Sequence, residues 1–315
     1  MKTTIIDLEH CPLNERHGTY RGKNCFKEGI TIDGEYWLVK YPKTHTDGEQ
    51  EFCNTSPLSE YIGSHIYNIL GIEAQETALG IRHGKLVVAC KDFCKKEGAL
   101  REFRTLKNVY DPKLSKALEE NIYSDSEKPF IPLETMLIHF QHNPVLRLVP
   151  DIQVRFWEQF IVDMLTGNND RNDGSWGILY EGEKYRPAPV FGNGAAFESS
   201  VPDSKLAEYL DDEDIMLQSV SDCISVYTYE GRNIYGKDLV KITDECYLKT
   251  AADIIPKIIS KMDKIRDFIN GIPKKCGGID VCSDIRKSFY IKSMQIKLEN
   301  YLMPVYEVAK SIKKE

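Results

Sequence analysis

The sequence predicts an α+β protein in two parts: a small antiparallel β lobe with one helix over residues 1–95, and a larger, mainly helical lobe over 96–315. Three observations carry this. Short β-prone runs in the first hundred residues meet at turn signals, Asp33-Gly34 and His83-Gly84. A single amphipathic helix interrupts them. From about residue 204 onward apolar residues recur at helical spacing instead. Runs of strands followed by runs of helices are an α+β pattern rather than the alternation of a parallel sheet.

The elements follow in order. Ile30–Ile32 and Tyr36–Tyr41 read as a hairpin about Asp33-Gly34. Ser56 as N-cap, Pro57 at the first helical position and Gly71 at the close mark a helix. Leu58, Tyr61, Ile62, His65, Ile66 and Ile69 form its apolar face. "QETALGIRHGKLVVACKDF" supplies two more strands. Residues 96–135 are charged and poor in apolar periodicity, and read as short helices and loops. Trp157, Phe160, Ile161, Met164 and Leu165 then fall at i, i+3, i+4, i+7 and i+8 of a clear amphipathic helix. "SWGILY" and "YRPAPVF" are short strands around a Glu-Gly turn. The longest later helices are expected over Asp253–Ile269 and Ser288–Ile312, with Pro256 and Pro304 marking kinks or starts.

Composition narrows the function classes. Of 315 residues, 42% are hydrophobic and 28% charged, ordinary values for a globular chain. The net charge of −7 gives no overall footprint for nucleic acid, so no direct nucleic-acid binding is expected. No apolar run approaches the ~20 residues of a membrane span. The N-terminus does not read as a secretory signal. Nine cysteines without a C-x-x-C pair suit reduced thiols, and the expected location is cytoplasmic.

Several residue patterns could carry chemistry. Gly18 and Gly22, with Lys23 and Lys27 nearby, precede the first hairpin. Such glycines let backbone N–H groups approach phosphate oxygens, but an ordinary loop has the same composition, and Gly-Lys-Ser/Thr is missing. Lys40 ends an apolar strand and requires an anion if buried, or snorkels if the strand is an edge. Glu60, beside the apolar helix face, is a possible partner and equally a first-turn carboxylate. "KLVVACKDF" turns polar at Lys91-Asp92, where a strand exit exposes backbone. In "LTGNNDRNDGSWGIL", Asp170 follows a buried helix among amides and an arginine, a placement suited to a general base. Asp173 serves the same site or caps the turn. "PVFGNGAAF" brings a Gly-Asn-Gly turn to a strand end.

The order of these pieces is that of a protein kinase, although His-Arg-Asp and Asp-Phe-Gly are missing. "YWLVKYPK", "SEYIGSHIYNILGIEAQETALG", "VVACKDF", "GNNDRNDGSWGIL" and "APVFGNGAAF" resemble, in matching order, the HipA-like serine/threonine kinases, especially their small CtkA branch. "DRNDGSW" and "FGNGAAF" are also similar to the core of type II phosphatidylinositol 4-kinases. The resemblance covers roughly residues 17–200 and implies a bilobal kinase-like fold, ATP with Mg2+, and a protein substrate. It implies that Lys40 contacts the ATP phosphates and that Glu60 holds it. Gly18 to Lys27 would cover the phosphates, backbone at Ala89 to Lys91 would meet the adenine, and Asp170 would orient or deprotonate the acceptor hydroxyl. Thr19 and Tyr20 are the hydroxyls in the loop that carries a self-phosphorylated serine in HipA kinases. An antitoxin-like partner is a further implication.

Two positions depart from the family pattern. A magnesium-binding Asn five residues after the catalytic Asp is here Ser175. The principal metal-ligand Asp of the second motif is here Gly192. Asn193 should point elsewhere, by strand alternation; Ser175 still offers a neutral oxygen, and Asp173 is the other candidate metal ligand. The expectation is therefore a serine/threonine kinase with a doubtful metal site. The alternatives are a nucleotide- or partner-binding pseudokinase and a lipid or small-molecule kinase.

Overall fold

A computed structural model describes residues 3–17, 26–47, 50–94, 99–121, 130–182 and 184–312. Along the chain come β1 (Ile6–Asp7), β2 (Lys27–Ile32), β3 (Glu35–Lys40), β4 (Thr44–Asp47), β5 (Gln50–Cys53), α1 (Ser56–Ile69), β6 (Thr77–Arg82) and β7 (Lys85–Lys91). Next are β8 (Leu100–Glu102), α2 (Phe103–Leu106), α3 (Pro112–Glu119), β9 (Ile131–Pro132), α4 (Leu133–His142), α5 (Ile152–Thr166), β10 (Gly177–Glu181) and β11 (Lys184–Pro187). The remainder comprises α6 (Asp203–Asp211), α7 (Glu213–Ser221), β12 (Ile224–Tyr229), β13 (Arg232–Tyr235), α8 (Glu245–Asn270), β14 (Lys275–Cys276), β15 (Ile279–Asp280), α9 (Asp284–Lys297) and α10 (Met303–Ile312). Among the described residues, no helix is long and apolar enough to cross a membrane.

The chain forms two compact units. The first comprises residues 1–93, 189–218 and 260–294, so later segments belong to the same unit as the sheet formed by the opening ninety residues. That sheet runs β1-β6-β7-β3-β2, antiparallel except for β1 beside β6. Its hairpins turn where the sequence indicates. Asp33 and Gly34 both have positive φ, as do His83 and Gly84, the backbone state that matches strand twist in two-residue turns. Alternation on β3 buries Trp37 and Val39 against Leu8, Ile30, Tyr41, Val87 and Ala89. Thr55 rather than Ser56 stands at the N-cap position of α1, without a side-chain cap, and the Ser56 hydroxyl donates to Asn54 Oδ1 at 3.0 Å. Leu58, Tyr61, Ile62 and Ile66 are buried as the periodicity predicts, but so is every residue from Pro57 to Ser64. The helix lies inside its unit, which puts the polar Glu60 and Ser64 in the interior.

The second unit comprises residues 94–188, 219–259 and 295–315. Its axis is α5, where Phe156, Trp157, Phe160, Ile161 and Leu165 are buried and the aromatic rings pack against Tyr227 and Tyr247. Two features correct the sequence reading. Leu100–Glu102 is a strand, pairing with β10 on the side opposite β11. The region beyond 204 contains a hairpin, β12–β13, turning at Glu230 and Gly231, both with positive φ. α8 begins at Glu245 and holds Pro256 in its interior, while Pro304 sits in the first turn of α10.

Candidate active site

The first unit brings Lys40, near the end of β3, onto Glu60 in α1, with Nζ and Oε2 2.9 Å apart. The Glu60 side chain is 3% exposed and that of Lys40 19%. Burial opposes ionisation of the carboxyl, but the Lys40 ammonium and the N–H groups of Asn193 and Gly192 hold its pKa below the usual range. Both N–H groups donate to the second oxygen, Oε1, at 3.0 and 2.9 Å. Gly192 has a φ of 79°, and this left-handed turn lets two successive N–H groups converge on one acceptor. Asn193 turns inward, donating from Nδ2 to Ser64 Oγ at 3.1 Å. It fits because Gly63 has no side chain: a Cβ there would lie 2.6 Å from Asn193 Cβ.

The backbone at Ala89 to Lys91 is occupied by the sheet. Ala89 is fully buried and pairs with Val39 and Ala78. The Lys91 N–H donates to the Glu76 carbonyl at 2.8 Å, and the Lys91 carbonyl accepts from Gln75 Nε2 at 2.9 Å. Gly18 and Gly22, with Thr19, Tyr20 and Lys23, lie outside the described residues. Lys27 opens β2, in register with Lys40.

The second unit holds the Asp170 loop. Gly167, at φ 72°, ends α5, and the chain folds back onto the helix through a pair that sequence reasoning missed. Asp163, on the last turn of α5, accepts from Arg171 Nε at 2.7 Å and Nη2 at 2.8 Å, and from Asn168 Nδ2 at 3.0 Å. Arg171 is 2% exposed and also donates to the Ser175 carbonyl at 3.0 Å. A bidentate guanidinium–carboxylate pair fixes orientation as well as distance. The signal was an Asp in the apolar stretch "FIVDMLT", since a buried carboxylate requires a cation.

This clamp leaves Asp170 exposed, with Oδ1 accepting from Asn172 Nδ2 at 2.9 Å. Ser175 Oγ donates to the Asp170 carbonyl at 3.3 Å. Asp173 pairs with Lys107 instead of turning outward. Beneath it His139 is 3% exposed, and burial pushes its pKa down to about 4, against a weaker upward pull from Asp173.

No family model matches the sequence. The serine/threonine-protein kinase CtkA of Helicobacter pylori is 30% identical over 290 residues, covering 90% of this chain and 82% of that protein. The chain belongs to the HipA-like serine/threonine kinases of CtkA type. The crystal structure of the Helicobacter pylori proinflammatory kinase CtkA matches this CtkA-type kinase with a TM-score of 0.78 at 26% identity, over 97% of this chain and 99% of that one. HipA from Shewanella oneidensis, solved with HipB and operator DNA, matches with a TM-score of 0.55 at 13% identity over 95% of this chain and 70% of that one. That likeness shows the fold alone. The kinase-like α+β fold expected from the sequence, with a sheet lobe and a helical lobe, is the fold of this CtkA-type chain.

Proposed function

We propose that this kinase uses ATP to phosphorylate a serine or threonine hydroxyl of a protein, with Lys40 contacting the phosphates and Asp170 acting on the acceptor. The observation that carries this is the buried Lys40–Glu60 pair, 2.9 Å apart, in a chain of the CtkA family. Glu60 fixes the ammonium, whose other N–H donors can meet phosphate oxygens and offset charge developing during transfer. Asp170 is an exposed carboxylate on a loop clamped by Asp163 and Arg171, with one oxygen steered by Asn172. The other oxygen can accept the hydroxyl proton. The N–H groups of Lys91 and Asp92 are taken by the Glu76 and Tyr36 carbonyls, which favours an adenine contact beyond Asp92 over one at Ala89 to Lys91.

The donor set does not suit magnesium. Mg2+ takes octahedral oxygen ligands, usually with one or two carboxylates. Gly192 offers no side chain, the Ser175 hydroxyl is directed to a carbonyl, and Asp173 is held by Lys107. Among the described residues, no three His, Cys, Asp or Glu side chains gather into a metal site. Phosphoryl transfer by the sequence as it stands therefore rests on Lys40 and Asp170, and is expected to be slow. Gly192 also favours a second reading, a pseudokinase that binds nucleotide without turning it over.

The test compares this chain with Gly192→Asp, each given labelled ATP and Mg2+, recording nucleotide binding and phosphate incorporation. Aspartate is among the few side chains that tolerate positive φ, so the substitution should fold at a cost of about 1 kcal/mol. The expected outcome is ATP binding by both chains, with at least tenfold more incorporation by Gly192→Asp (about 1.4 kcal/mol of barrier). Asp170→Ala in that background should abolish incorporation. If neither folded chain binds ATP, the nucleotide site is wrong. Binding by both without incorporation selects the pseudokinase.

A further inference from the structure

Away from both clusters, the first unit carries an open cavity of about 700 Å3, and neither Lys40 nor Glu60 lines it. Its apolar wall includes Pro42, Phe52, Pro57, Leu86, Pro202 and Val281. Thr55, Ser204, Ser283, Lys85 and Arg286 supply polar groups. A volume within roughly 300–1,000 Å3, apolar walls and a few fixed polar groups are the properties of a small-molecule site. Nothing in the kinase reading uses it.

The charge around the cavity indicates the ligand. Arg286 is 5% exposed and fixed in the wall, with Nε 2.6 Å from Asp203 Oδ1, Nη1 3.2 Å from Thr55 Oγ1 and Nη2 2.7 Å from the Val201 carbonyl. Asp203 balances this guanidinium. The other carboxylate lining the cavity, Asp280, is 2.9 Å from Lys275. Lys85 remains, and among the described residues no carboxylate pairs with it. The N-terminal ends of α1, α6 and α9 also border the cavity, at Pro57, Ser204 and Ser283, the last just ahead of α9; Asp203 and Asp284 offset the partial positive charge of α6 and α9, and only α1 starts without an acidic residue. A cavity with one apolar wall, and with Lys85 as the cation on its polar side that no carboxylate among the described residues balances, suits a molecule that is apolar at one end and anionic at the other.

We propose that this cavity binds a small amphipathic anion, with its hydrocarbon body against Phe52, Pro57 and Val281 and its carboxylate, sulfonate or phosphate toward Lys85. The probes are 8-anilinonaphthalene-1-sulfonate, read by fluorescence on the full chain, and decanoate as competitor. Two exposed positions on the lining supply variants: Lys85→Glu reverses the charge, and Ser204→Trp fills space. Circular dichroism and the thermal midpoint check that both remain folded. The proposal expects one saturable site, displacement by decanoate and no displacement by ATP. It also expects about tenfold weaker binding in Lys85→Glu and loss of the signal in Ser204→Trp. Non-saturable binding, displacement by ATP, or affinities unchanged in both folded variants would overturn it.

Discussion

A carboxylate with 3% of its side chain exposed remains ionised at Glu60 because three donors reach it, and removing any of them has a cost that can be measured. Lys40→Met leaves the charge buried beside an apolar group and should destabilise the chain by about 3 kcal/mol in urea unfolding. Adding Glu60→Gln should return much of that stability without restoring ATP binding, which separates the lysine's structural role from its proposed chemical one. His139 gives a pH signature. With its pKa lowered by burial to about 4, it stays neutral in the fold while the unfolded chain takes up a proton near pH 6.5. Stability should therefore rise with pH between about 4 and 6.5, by roughly 2–4 kcal/mol, and be flat in this respect above that window. His139→Gln should remove that slope from a series of urea midpoints against pH. At this scale the sequence was only partly legible. Lys40 and Glu60 could be paired because each bore a charge beside an apolar surface. The Asp163–Arg171 pair joins a helix to the loop that follows it, and no helical or strand period links the two positions.

Among the elements, those defined by neighbours in sequence were the most readable. The Asp33-Gly34 and His83-Gly84 hairpins and α5 needed only turn chemistry and period. β8 was hidden because its three residues pair with β10, some 75 positions later in the chain. The β12–β13 hairpin is legible in "ISVYTYEGRNIY", whose alternation and Glu-Gly turn stand between segments of helical period. Close approach between elements also tests the candidate site. Gly63→Ala places a methyl against Asn193 Cβ, an atom that cannot swing aside without moving its backbone. A loss of about 1–3 kcal/mol is expected in chemical denaturation. ATP affinity should fall as well, because the displaced segment carries both N–H donors to Glu60.

On the scale of the molecule, the chain order conceals how the first unit is made. A fragment of residues 1–95 contains every strand of the five-stranded sheet, yet lacks residues 189–218 and 260–294. Those segments supply the two N–H donors to Glu60, the Phe268 ring stacked on His65 and the Arg286 guanidinium that bonds Thr55. The fragment should show no cooperative unfolding transition by circular dichroism, although a division near residue 95 is what the sequence suggests. The same interleaving sets a schedule for synthesis. Gly192 follows Glu60 by 132 residues, a gap that takes roughly 7–26 s to translate at 5–20 residues per second. Until then the nascent chain can offer Glu60 its lysine but neither N–H group. The hydrogen-bond set around Glu60 is therefore completed only in the later half of translation.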